Sequence, residues 1–128
     1  MIGIDLSGHT CVVTGASGGV GSVAIDLLTA TGYEVHAITG KVEEFDWLEH
    51  LGAKQCISRH DLHWGQRPLE TARWAGCIDT VGGGMLSGIS RVIRPWGNIA
   101  VCGMAGGHAL NTTVFPLILR GVSLLGVS

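Results

Sequence analysis

Hydrophobic and polar positions along the chain fall into two alternating textures. Short apolar runs, the first five closing on glycine, threonine or a charged residue, occur at Cys11-Val12-Val13, Tyr33 to Ile38, Lys54 to Ser58, Gly76 to Val81, Gly97 to Cys102 and Val122 to Val127. These predict six strands. Between them apolar residues return at helical spacing, as Val23, Ala24, Leu27 and Leu28, then Phe45, Leu48 and Leu51 within a helix over 43–51 that Gly52 ends. Met85 to Ile93 predicts another helix with Leu86, Ile89 and Ile93 inward. Thr113 to Arg120 predicts a last one, with Phe115, Leu117, Ile118 and Leu119 and with Pro116 tolerated in its first turn. Arg67-Pro68 opens a short helical stretch to Trp74, and Met1 to Gly8 is a lead with turn formers Asp5, Ser7 and Gly8.

Strand alternating with helix throughout implies right-handed crossovers and one parallel sheet with helices on both faces. The expectation is a single α/β domain over 1–128, a doubly wound sheet of six parallel strands. A composition of 46% hydrophobic and 14% charged residues, with 21 glycines, fits a sheet buried on both sides.

The most informative stretch is Cys11 to Leu28, which reads as strand, glycine-rich turn, helix. The first amides of such a helix lack acceptors and sit at the positive end of its dipole, which suits phosphate. Gly18 permits close approach of a diphosphate, Gly21 permits close packing of helix on strand, and Ala16 stands where the fingerprint's first glycine would be. This makes the sheet Rossmann-type, with Ser17, Gly18, Gly19 and Val20 as the candidate diphosphate grip. No Lys follows Gly21, which disfavours an ATP-type phosphate loop.

Glycine-rich exits also follow the fourth and fifth strands, at Gly82-Gly83-Gly84 and Gly103 to Gly107. All fall at carboxyl ends of strands, where open α/β sheets bind ligands. The second strand ends on Thr39, Gly40 and Lys41 rather than on the acidic residue that bonds the ribose in NAD-preferring folds. Lys41, with Arg59 closing the third strand, therefore points to NADPH (NADP+) as cofactor. Thr80 with Val81 would border the nicotinamide ribose, and Cys102, Gly103 and Met104 the nicotinamide.

Charge and cysteine usage narrow the remaining classes. A net charge of −2 without a basic cluster gives no reason to expect nucleic acid. No apolar run is long enough to cross a membrane and no signal-peptide pattern opens the chain, so a cytoplasmic protein is expected. Cys11, Cys56, Cys77 and Cys102 lack metal-type spacing and read as small buried apolar residues within strands. His60 and His63 read as loop residues, so no metal site is expected.

The segments VTGASGGVGS, LGAK, RPLE with WAG, IDTVGGGML, and CGMAGG with FPLILRGVSLLGV resemble the cofactor-binding half of medium-chain dehydrogenases/reductases. They are nearest to the quinone-oxidoreductase branch that includes acryloyl-CoA reductase and the YhdH/YhfP-type proteins. The resemblance runs from Thr10 onward. It implies zinc-free, NADPH-dependent reduction of an activated C=C bond, as in a quinone or a 2-enoyl thioester, and places positions matching Met104 and Ile118 near the nicotinamide end. Lys41 stands where relatives often carry Arg, which keeps the charge but not the bidentate contact.

The family's GroES-like catalytic domain has no counterpart here, so the chain is expected to be an excised or truncated part of a reductase. Alone it should bind cofactor weakly, turn over little, and offer no catalytic residue of its own. The small-molecule substrate belongs to the full-length parent. A stand-alone nucleotide-binding regulatory module is the competing reading. A short-chain dehydrogenase fits less well, because the one tyrosine, Tyr33, is followed four residues later by Ala37 instead of Lys. The open edge of the sixth strand suits a homodimer.

Overall fold

The computed structural model describes residues 9–128, so the turn expected within Met1 to Gly8 lies outside the described residues. In chain order the elements are β1 (Thr10–Thr14), α1 (Gly19–Thr31), β2 (Glu34–Thr39), α2 (Phe45–Leu51), β3 (Gln55–Ser58), β4 (Trp74–Asp79), α3 (Gly83–Ser90), β5 (Ile93–Val101), α4 (Phe115–Leu119) and β6 (Ser123–Gly126). The strands form one sheet in the order β3-β2-β1-β4-β5-β6. Every pairing is parallel. This is the expected six-stranded, doubly wound Rossmann-type α/β sheet. The chain winds outward from β1 to β3 and then returns to place β4 on the other side of β1, which opens a crevice between the carboxyl ends of those two strands.

Side chains alternate across the sheet and feed two cores. On one face Val13, Val35 and Ala37 pack with Ile25 of α1 and Leu48 of α2. On the other, Val12, Ile38, Cys77 and Ile99 pack with Leu86 and Ile89 of α3 and with Trp74. Helix α1 turns Gly21 and Ile25 fully inward, whereas Val23 and Leu27 of the periodic set face outward. Its end is closed by Gly32 in the left-handed region, whose amide donates to Leu28 O and Thr29 O.

Several boundaries differ from those read in the sequence. The helix expected from Arg67 to Trp74 is absent. Arg67 instead donates to Glu70 through its backbone N at 3.0 Å and through Nε and Nη2 at 3.2 and 2.8 Å. The amides of Glu70 and Arg73 then donate to Arg91 O and Val92 O, so groups that a helix needs internally are spent on the neighbouring segment. Trp74 opens β4 as a buried anchor, its Nε1 donating to His36 Nδ1 at 2.9 Å.

Helix α3 stops at Ser90 and β5 begins at Ile93, which is therefore a buried strand residue and not a helical one. The strand absorbs Pro95-Trp96 by a register shift opposite Trp74 and Gly76, with Trp96 at φ 65°. The helix over 43–51 splits into a single 3-10 turn at Val42–Glu44 and α2. Cys102 lies one residue past β5, and only Cys11 and Cys77 are fully buried, Cys56 and Cys102 being half-buried; all four are free.

Candidate functional site

A cleft of about 350 Å³ opens at the carboxyl ends of β1, β2 and β4. Gly15, Ser17 and Gly18 form one wall, Thr39, Gly40, Lys41 and Arg59 another, and Thr80, Val81, Ala105 and Gly106 the third. Gly15, immediately before Ala16, takes the left-handed conformation at φ 59°. A Cβ on Gly15 would collide with Thr80 Oγ1, so the wall approaches the end of β4 as closely as backbone allows.

The start of α1 is open. Gly18 is extended at the N-cap, no side chain caps the helix, and no acidic residue lies in its first turn. The first helical bond runs from Ser22 N to Gly18 O, so the amides of Gly19, Val20 and Gly21 precede any helical acceptor. Gly18's own amide donates to Gly15 O at 3.0 Å, which leaves Gly18 to contribute through its missing side chain. A Cβ at Gly19 would meet nothing within 4 Å, so the surface above these amides is clear. The residues therefore fit a diphosphate: free donors, a positive helix end and no side chain in the way.

The second wall is cationic and ordered. Ser17 Oγ and Thr39 Oγ1 lie 3.0 Å apart, and Lys41 N donates to Thr39 Oγ1 at 3.1 Å, which ties the glycine turn to the end of β2. Arg59 lies flat against Gly40, its Nε 2.7 Å from where a Cβ at Gly40 would stand. Glycine at this position thus lets the guanidinium and Lys41 share one end of the cleft.

Beneath the floor is a group that reading the sequence missed. Asp79, fully buried, accepts from Thr14 Oγ1 at 2.6 Å and from Gly82 N at 2.8 Å. Thr14 Oγ1 in turn accepts from Thr80 N at 3.1 Å, and Thr80 Oγ1 donates to Thr14 O at 3.0 Å. Nothing local marks the pairing, because Thr14 and Asp79 lie 65 residues apart.

Cys102, Gly103 and Met104 lie along an adjoining hollow of about 300 Å³ with Gly82, His108 and Val127. Burial, then the nearby Asp79, pushes the Cys102 thiol above its ordinary range. Ile118 lies on α4, 72% exposed, and borders neither hollow. A wider hollow of about 520 Å³ beside the start of α3 carries Arg91, which already donates to Gly65 O at 3.1 Å. Among the described residues no three His, Cys, Asp or Glu side chains converge in a metal-holding group, and no helix is long and apolar enough to cross a membrane.

Comparison with known proteins places this geometry. The family described as zinc-binding dehydrogenase matches residues 19–128. The acrylyl-CoA reductase AcuI of Ruegeria pomeroyi is 49% identical over 122 residues, 94% of this chain and 37% of that protein. The yhdH oxidoreductase of Salmonella enterica, solved in complex with NADP, superposes with a TM-score of 0.90 at 48% identity, over 94% of this chain and 37% of its own. The yhfP protein of Bacillus subtilis, solved with NAD bound, does so with a TM-score of 0.92 at 42% identity, over 98% and 39%. The chain thus spans well under half the length of these relatives. It belongs to the zinc-binding dehydrogenase family and is similar, over this part, to the acrylyl-CoA reductases and the YhdH/YhfP-type oxidoreductases.

Proposed function

We propose that this chain is the NADPH-binding part of a zinc-independent reductase of activated C=C bonds, in the manner of a quinone or 2-enoyl-CoA reductase. The observation that carries the reading is one cleft with uncapped helix amides at one wall and a lysine–arginine pair at the other. Gly19, Val20 and the hydroxyl of Ser17 would hold the diphosphate, over Gly18. Lys41 and Arg59, on Thr39 and Gly40, would hold the adenosine 2′-phosphate by charge. Thr80 would border the nicotinamide ribose, and Cys102, Gly103 and Met104 the ring. When bound, NADPH supplies hydride; the residues here bind it, orient it and keep water from its inner face.

The relatives carry long additional sequence beyond the matched part, since AcuI is covered to 37%. That supports a chain which binds the dinucleotide and depends on a further, GroES-like domain for substrate and turnover. Strand β6, at the edge of the sheet, would pair two copies in a homodimer.

The test is titration with NADPH and NADH, followed by protein fluorescence. NADPH should bind more tightly, and Lys41→Ala or Arg59→Ala should each weaken it about tenfold, the scale of one lost charged hydrogen bond, while leaving NADH nearly unchanged. Equal loss for both coenzymes would remove the 2′-phosphate assignment. No binding of either would remove the whole reading.

A further inference from the structure

The hydrogen-bonded ladder between β1 and β4 ends at Val13 opposite Ile78. Beyond it the strands would splay toward the crevice, and they are instead joined by side chains: Thr14 Oγ1 donates to Asp79 Oδ1 at 2.6 Å and accepts from Thr80 N at 3.1 Å. Asp79 Oδ2 accepts from Gly82 N at 2.8 Å, which fixes the entry to α3, where Gly82 and Gly83 have φ of 69° and 53°. A fully buried carboxylate is a costly way to hold two strands together, when an apolar pair would serve packing as well. What an apolar pair cannot do is orient the backbone at Thr14, Thr80 and Gly82 at once.

The geometry points to Asp79, acting through Thr14, as a positioning residue that sets the separation between the diphosphate wall of the cleft and the Thr80–Val81 wall. The inference rests on the dinucleotide reading above, since only a ligand long enough to touch both walls feels their spacing. Asp79 itself touches no ligand; it lies behind the floor that Gly15 and Thr80 form.

The substituted side chains can be reasoned atom by atom. Asp79→Asn keeps the shape and an acceptor for Gly82 N, but its amide faces Thr14 Oγ1, whose own proton then loses its acceptor. Thr14→Val removes both bonds of the hydroxyl, and Thr14→Ser retains them.

Two ligands separate positioning from general loosening: NADPH, which spans the walls, and adenosine 2′-phosphate, which needs only the Lys41–Arg59 end. D79N and T14V should weaken NADPH about tenfold or more, on the scale of a hydrogen bond to a charged group, and adenosine 2′-phosphate less than about twofold. T14S should bind both like the unaltered chain. In the ligand-free variants the amide NMR signals of Gly15 to Gly18 and of Gly82 should already be displaced. Should D79N fail to fold, T14V against T14S decides alone. Equal weakening of both ligands, or NADPH binding that neither variant changes, overturns the positioning role. An unaltered chain that ignores NADPH overturns the dinucleotide reading, and the positioning role with it; the two failures are told apart by that first titration.

Discussion

At the scale of single residues, the glycines of the first turn differ sharply in what they must avoid. A Cβ on Gly21 would stand 2.8 Å from Ala16 Cα and closer still to Gly15 O, so α1 would have to lift from the turn that follows β1. Gly21→Ala should cost about 1–3 kcal/mol, as overpacking does, whereas Gly19→Ala, with open space around it, should stay within about 0.5 kcal/mol. Urea denaturation of the two variants measures both, and similar midpoints would contradict the close approach. Gly21 was legible in the sequence because the spacing of small residues encodes close approach. The positive φ of Gly15 and its close approach to Thr80, just past β4, were not legible, because the two residues are distant along the chain and meet only once the sheet has formed.

At the scale of elements, the clearest disagreement is the segment before β4. Its local pattern allows a helix, but Arg67 and Glu70 close a turn and Arg120 adds bonds from Nη1 to Arg91 O and from Nη2 to Glu70 O. Trp74 then anchors the strand, its ring edge-on to Trp64 at 6.5 Å and Arg73 Cζ 4.3 Å from its centroid. Because Trp74 Nε1 donates to His36 Nδ1, the neutral imidazole carries its proton on Nε2, 2.9 Å from Glu34 Oε2. Trp74→Phe, which removes that donor and part of the buried ring but keeps an aromatic side chain, should cost about 1–3 kcal/mol, and Trp74→Ala about 3–5 kcal/mol. Thermal unfolding separates them; equal losses would mean that the hydrogen bond, not the ring volume, holds the strand.

For the whole molecule, burial of thiols in the central strands links stability to pH. Desolvation pushes Cys11 from 9.0 up to about 12 and Cys77, beside Asp79, well above 9.0. Both are raised on folding, so their contribution is intact below pH 9 and is lost as pH rises toward the folded values, where the unfolded chain binds fewer protons. Each such thiol should lower stability by about 1.4 kcal/mol per pH unit in that window. Urea midpoints measured from pH 7 to 11 should fall above 9, and fall less steeply in Cys11→Ala; a flat profile would contradict the burial. Much of this architecture was determined by the sequence alone: six apolar runs alternating with helical periodicity, and glycine at the strand exits, specify a parallel doubly wound sheet because hydrophobic period and turn chemistry act over a few residues. The tertiary structure alone decided the fate of 67–74, the outward face of α1 and the Thr14–Asp79 bond, since each depends on hydrogen bonds or packing between residues distant along the chain and adjacent only once the sheet has formed.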